Sequence, residues 1–364
     1  METSRNRRAE RGGRRCFFCI TGVAAWPARR PLAVDGGGRC ADNPCRSSPA
    51  CPHRTRNAPM SAVACAAALA LVLLGVYAFP LPKPSFRALY AAVPQEVQQR
   101  LTAFRRRHRK RLSCGRTVWE TVAAGSGDAA VVFLHGLGAS ADAWFLQIEA
   151  LEGRFRCLAP TYPPLSSWEA LAAGVLALLD REGIRRAHFV GSSLGGLLAQ
   201  HLARRAPDRV ASLVLGNTFA PDEGIAARAR RGVQVLRWVP EWAILAGMRR
   251  NARRLLGPAA GTGSALVTAY LLEQTCGAIR KEHVLARLAC LGRTFAPPDL
   301  AAGTLPCLIL ESANDPLVEA PLREALRRAY PAAAVHTFPQ GGHFPYLSEP
   351  DAYRRILADW LPAR

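Results

Sequence analysis

The pentapeptide Gly191-Ser192-Ser193-Leu194-Gly195 constrains this chain more than any other stretch of its 364 residues. It stands between an apolar run, AHFV at 187–190, and the periodic stretch LGGLLAQHLA at 194–203. Strand, tight turn and helix in that order are the setting in which G-x-S-x-G forms a nucleophile elbow. The strained turn lifts the central hydroxyl above a sheet, so the residues two places to either side must be small. Gly191 and Gly195 meet that demand, and Ser193 is the candidate nucleophile. Ser192 is a competing hydroxyl in the variable place of the motif. The helix N-terminus under the turn offers partial positive charge and unpaired N–H groups to a developing oxyanion.

The chain around the elbow alternates between short apolar runs and helical periods. The runs at 129–134, 155–159, 187–190, 210–215, 307–310 and 335–338 read as strands, and 117–122 alternates like an edge strand. Residues 168–182, 194–205, 320–329 and 350–361 read as helices; in the first, Trp168, Leu171, Val175, Leu178 and Leu179 form one face. Fully apolar strands alternating with helices imply a mostly parallel central sheet with helices on both faces. Between 219 and 303 no strand is evident, which marks a helical insertion, the place for a lid.

A serine hydroxyl needs a base, and the base needs an orienting carboxylate. His343 sits in the glycine-rich stretch QGGHFP between the last strand and last helix, and Asp315 follows the apolar run CLIL in ESANDP. The order Ser193, Asp315, His343 is the one that accompanies an elbow of this kind. His108, in a basic run, His201, inside the elbow helix, and His336, alternating within a strand, read as surface or packing residues. Asp222 and Glu223, after the preceding strand, are the alternative acids. His135-Gly136-Leu137 closes the run at 129–134, where a second oxyanion donor is needed. The donors expected are the main-chain N–H groups of Leu137 and Leu194. No metal-ligand cluster or dinucleotide loop appears, so no cofactor is expected.

At these residues the chain resembles the α/β-hydrolase superfamily across roughly 112–364. In detail it is more similar to the maspardin family, through SADAWFLQIEAL, GSSLGGLLAQHLA, VASLVLGNTFA and GGHFPYL. The resemblance implies an α/β-hydrolase fold. Maspardin-like members are regarded as having an incomplete triad and acting as cytosolic or endosomal binding partners. This chain departs from them in having both His343 and Asp315 where an active hydrolase needs them. Fold alone leaves substrate open.

The net charge of +21 is unevenly placed. Residues 1–59 hold 12 Arg against 4 acids, 60–111 hold 9 Lys or Arg against Glu96 alone, and 112–364 carry only +5. With three lysines among 48 basic residues and no DNA-reading motif, nucleic acid is not expected as a partner. Residues 1–59 read as a disordered or targeting leader, in which Cys16, Cys19, Cys40, Cys45 and Cys51 match no zinc module. Met60 opens a more ordinary start.

The charge-free stretch 61–79 is followed by Pro80, Pro82 and Pro84. It reads as a transmembrane anchor, as a cleaved secretory or organellar signal, or as a buried helix. The basic run RRRHRKR at 105–111 reads as a tether or a patch for anionic lipid, and it places the following domain on the cytoplasmic side. The domains expected are 1–59, 60–111 and 112–364, with 219–303 as lid. Within the lid, Trp238, Trp242, Leu245 and Met248 stand beside Arg237, Arg249 and Arg250, a stripe for packing over a site or for leaning on lipid. The function expected is ester hydrolysis by a membrane-associated serine hydrolase acting on a small-molecule or lipid ester. The rival reading is a silent adaptor with a protein partner; a third is hydrolysis of carbon–carbon or amide bonds.

Overall fold

The computed structural model describes residues 62–114, 117–300 and 305–362. The leader 1–59, its five cysteines and Met60 lie outside the described residues. One compact unit ends at Phe79 and another begins at Pro80.

In the first unit, α1 (Ala62–Ala78) is 17 residues of Ala, Leu, Val and their like, with its side chains exposed from Val63 onward. At 1.5 Å per residue it is about 26 Å long, against a hydrocarbon thickness of about 30 Å. The apolar run does form a helix, yet no helix among the described residues is long and apolar enough to cross a membrane. The expected transmembrane anchor is corrected to that extent.

The second unit is built on eight strands: β1 (Arg109–Cys114), β2 (Thr117–Ala124), β3 (Ala130–Leu134), β4 (Arg156–Thr161), β5 (Ala187–Ser192), β6 (Val210–Gly216), β7 (Cys307–Ser312) and β8 (Ala334–Phe338). Their order is β1-β2-β4-β3-β5-β6-β7-β8. β2 runs antiparallel to both neighbours, and every pairing from β4 to β8 is parallel. The expected α/β-hydrolase fold, mostly parallel with helices on both faces, is therefore the observed one. Alternation explains why the strands are apolar throughout. Val132 and Leu134 of β3 enter one core cluster while Val131 and Phe133 enter the other. Phe189 and Val190 of β5 divide in the same way. Each fully buried side chain of this size contributes about 1.5–3 kcal/mol.

The covering helices are α2 (Gln95–His108), α3 (Phe145–Leu151), α4 (Trp168–Arg181), α5 (Leu194–Arg205), α10 (Ala320–Ala329) and α11 (Pro350–Trp360). In α4 the five residues expected on one face are all buried, and Ser167 caps the helix by accepting from the Ala170 N–H at 3.1 Å. Gly174 lets α4 lie against β2, because a Cβ there would sit 2.0 Å from the Trp119 ring. Between β6 and β7 run α6 (Glu223–Leu236), α7 (Glu241–Asn251), α8 (Ser264–Glu273) and α9 (Lys281–Leu291), among shorter helical turns. π-helical turns at Ala252–Leu256 and Gln274–Ala278 follow directly on α7 and α8.

Residues 86–111, expected as linker and basic tether, are folded instead. β1 pairs with β2 along its whole length, so β2 is not the edge. Tyr90, Val93, Leu101 and Phe104 are buried in the core. The basic run is held by carboxylates from distant segments: Arg105 donates to Asp142 at 2.6 Å and to Glu273 at 2.7 Å, and Arg109 to Asp142 at 2.8 Å.

Candidate active site

The parallel strands present their carboxyl ends along one edge, where open α/β sheets bind ligands. β5, β6, β7 and β8 are consecutive neighbours, and the segments leaving them carry Ser193, Asn217, Asp315 and His343. The segment leaving β3 carries Gly136 and Leu137.

The turn at Ser193 has the strain expected of it. Its φ is +54° and ψ −120°, a conformation that costs a non-glycine residue about 1–3 kcal/mol. Its N–H donates to Gly216 O at 2.9 Å and its carbonyl accepts from Thr218 Oγ1 at 2.7 Å, so β6 and its following loop hold the turn. The two glycines have close neighbours. A Cβ on Gly191 would lie 2.3 Å from Gly195 O, and one on Gly195 would lie 2.1 Å from Leu134 O. Ser192 is fully buried, whereas Ser193 is half-buried and lines a cavity.

His343 faces the same cavity. Its Nδ1 lies 2.8 Å from Asp315 Oδ2 and 3.0 Å from Oδ1, and both side chains are buried. Asp315 is held from the other side by the N–H groups of Leu317 (2.8 Å) and Val318 (3.1 Å) on Oδ1 and by Asn217 Nδ2 (2.8 Å) on Oδ2. A carboxylate that accepts three donors is fixed in place, and its acceptance from Nδ1–H leaves Nε2 of His343 as the basic nitrogen. Asn217 also donates to Gly342 O at 3.0 Å, which ties the histidine loop to the aspartate. That residue, at φ +42°, is a part of the site that sequence reasoning missed. Its signal was the stretch GNTF at the end of an apolar strand, beside a strand carrying the acid.

The alternative acids are engaged elsewhere. Asp222 caps α6 through the Ile225 N–H at 2.7 Å, and Glu223 pairs with Arg230. Among the other histidines, His201 packs its ring against Phe295 at 5.0 Å inside the core, and His336 is exposed on β8.

Gly136 passes directly over the nucleophile, for a Cβ built on it would lie 3.8 Å from Ser193 Oγ. Leu137 lines the cavity beside Ser193, and Leu194 is the first residue of α5. Neither amide N–H donates to a backbone carbonyl among the described residues. His135 anchors this loop. Its Nε2 accepts from the Tyr162 N–H at 3.3 Å, so Nδ1 carries the proton and donates to Gly136 O at 2.8 Å. Complete burial, reinforced by Arg287, holds its pKa well below the usual imidazole value and keeps the ring neutral.

The cavity measures about 60 Å³, room for roughly four waters. Met248, Leu255, Leu256 and Leu271 of the insertion wall it together with Leu317 and Phe344. Apart from Ser193 and His343, the lining side chains include one polar residue, Asn251, and no charge.

The model of the Alpha/beta hydrolase family matches residues 131–356. The pimeloyl-acyl-carrier-protein methyl ester esterase of Vibrio vulnificus (strain YJ016) is 30% identical over 246 residues, covering 65% of this chain and 94% of its own. Among solved structures, a hydrolase from Pseudomonas aeruginosa PA01 superposes with a TM-score of 0.56 at 26% identity, covering 69% of this chain and 97% of that one. A thermophilic esterase from Thermogutta terrifontis gives 0.57 at 22% identity, with coverages of 69% and 97%, which speaks to fold alone.

Proposed function

The chain belongs to the alpha/beta hydrolase family and is a hydrolase, and from that premise we propose that it cleaves carboxylic esters of short, uncharged acyl groups through Ser193, His343 and Asp315. In this reading Ser193 Oγ attacks the ester carbonyl while His343 Nε2 takes its proton. The negative charge on the tetrahedral oxygen is met by the N–H groups of Leu137 and Leu194. His343 then returns the proton to the departing alcohol, leaving an acyl-serine. Water, deprotonated by the same nitrogen, attacks that ester; the acid leaves and Ser193 recovers its proton. Asp315 keeps the imidazole in the Nδ1–H tautomer and stabilises the imidazolium.

The observation that carries this reading is the paired contact of His343 Nδ1 with both Asp315 oxygens, in the cavity that Ser193 lines. The acyl class is argued from the wall: a small space lined by Leu, Met and Phe side chains favours an apolar group and penalises a charged one. The relative's printed substrate is also an ester. Helices α6–α9 then act as the lid.

The test is a fluorophosphonate probe together with p-nitrophenyl acetate, applied to the full chain and to Ser193→Ala. The expected result is labelling and turnover in the first and neither in the second. Well-folded full chain that neither labels nor turns over would favour the silent adaptor. Association with lipid through α1 is a separate proposal, resting on a helix that is apolar all round. Flotation with liposomes should recover the full chain but not a chain lacking 62–78; equal recovery would remove it.

A further inference from the structure

Arg287 lies on α9 of the insertion and is only 2% exposed. A guanidinium removed from water costs several kcal/mol unless an anion accompanies it. Among the described residues no carboxylate forms an ion pair with it. Its Nη1 instead donates to two main-chain carbonyls, those of Leu137 and Ala139, the second at 3.2 Å. The guanidinium also sits 5.9 Å over the Tyr162 ring, which stacks on His135 at 3.9 Å. Nε and Nη2 are buried without a partner.

The two carbonyls flank Gly138, in the loop whose Leu137 lines the cavity and whose N–H is the proposed oxyanion donor. Glycines at 136 and 138 leave that loop free to turn its peptide planes. One nitrogen gripping the carbonyls on both sides of Gly138 removes the freedom, while His135 holds Gly136 from behind. Donors that need no reorganisation when charge develops are what an oxyanion site requires.

We propose that Arg287 is a positioning residue for the oxyanion loop, so that the insertion completes the site as well as covering it. The inference rests on the esterase reading for its kinetic consequence, though not for its structural one. Met of similar length removes the buried charge and both carbonyl contacts while keeping much of the side chain's bulk.

The experiment compares full-length protein with Arg287→Met and Arg287→Lys by amide hydrogen exchange, thermal unfolding and p-nitrophenyl acetate kinetics. In Arg287→Met, exchange in a peptide covering 135–140 should rise about tenfold, with the remainder unchanged. By analogy with removal of an oxyanion donor, kcat should fall about a hundredfold while KM stays within about twofold. Tm should hold within about 2 °C. Arg287→Lys, which brings one point charge in place of a fork, should fall between. Added guanidinium should restore part of kcat in Arg287→Met. Exchange and kcat both at the wild-type level in Arg287→Met would overturn the proposal, as would a large drop in Tm with kcat per folded molecule intact. Wild-type protein without ester turnover would sink the esterase reading, and the exchange comparison would still decide the part played by Arg287.

Discussion

The edge of the sheet and the helical insertion meet at one cavity and are built on opposite terms. At the sheet, both oxygens of Asp315 are engaged by donors from three separate segments, and Ser193 is strained but tied on both sides by β6 and the loop after it. Both regions leave some buried polar atoms without a protein partner, Ser192 Oγ and Asn217 Oδ1 at the sheet, Asn251 Nδ2 and two nitrogens of Arg287 in the insertion. π-helical turns continue α7 and α8 past their C-terminal ends, and Gly277 sits at φ +155°. Such turns recur at functional sites because the extra residue loosens the helical ladder. The difference teaches where chemistry and selectivity reside. On the proposed reading the sheet holds the reacting groups, and the insertion, whose helices run into π-helical turns, walls the space beside them.

If that contrast is right, damage at the sheet should destroy turnover without moving the fold. Asp315→Asn should lower kcat about ten-thousandfold, the loss known from a well-studied protease triad in which the amide favours the wrong tautomer. His343→Ala should do comparable harm, and the double variant should be little worse than either, since both act on one proton. Circular dichroism should be unchanged throughout. Asp222→Asn and Glu223→Gln should stay within about twofold, and a collapse in either would transfer the role of acid to the loop after β6.

The junction of the two regions offers a smaller effect with a pH signature. Asp142 binds Arg105, Arg109 and Tyr270, the last from α8 of the insertion. Burial alone would raise its carboxyl, but the two arginines and two hydroxyls outweigh it and lower the pKa from 3.8 to about 2. A carboxyl depressed by folding stabilises above its unfolded value and ceases to do so as pH falls. Wild-type stability in urea should therefore drop by about 2 kcal/mol between pH 4 and pH 2 on account of this group. Asp142→Asn should be less stable at pH 5 and lack that part of the slope. An identical slope in both proteins would detach the junction from Asp142.

The gentlest change is expected in the insertion. Leu255→Ala should enlarge the cavity and shift kcat/KM from acetyl toward hexanoyl esters by about tenfold, the scale of one or two methylenes in an apolar pocket. Labelling of Ser193 by a small phosphonate should be unaffected. Loss of labelling would mean that the insertion reaches the chemistry through this wall as well.

Much of the sheet was legible because its signals are local. A glycine two places from a serine, or an unbroken apolar run before a turn, needs no distant partner to be read. Asp315 and His343 were legible for the same reason, each following an apolar strand in a turn-rich stretch. The basic run at 105–111 was not, because the carboxylates that hold Arg105 lie 37 and 168 residues further along. Without them the stretch has only its charge to show. Asn217 and Arg287 were hidden likewise. One ends a strand like many asparagines, and the other is one of 12 basic residues in the insertion until its carbonyl partners are known. The run at 61–79 announced a helix, and one is found over Ala62–Ala78, just ahead of the prolines.

The backbone angle at Ser193 has a consequence for how such a chain ages. Glycine adopts a φ of +54° freely, so Ser193→Gly would relieve the turn at the moment it removes the hydroxyl. The shortest mutational path to inactivity is thus one that toughens the protein. Descendants kept only for their shape would drift down that path.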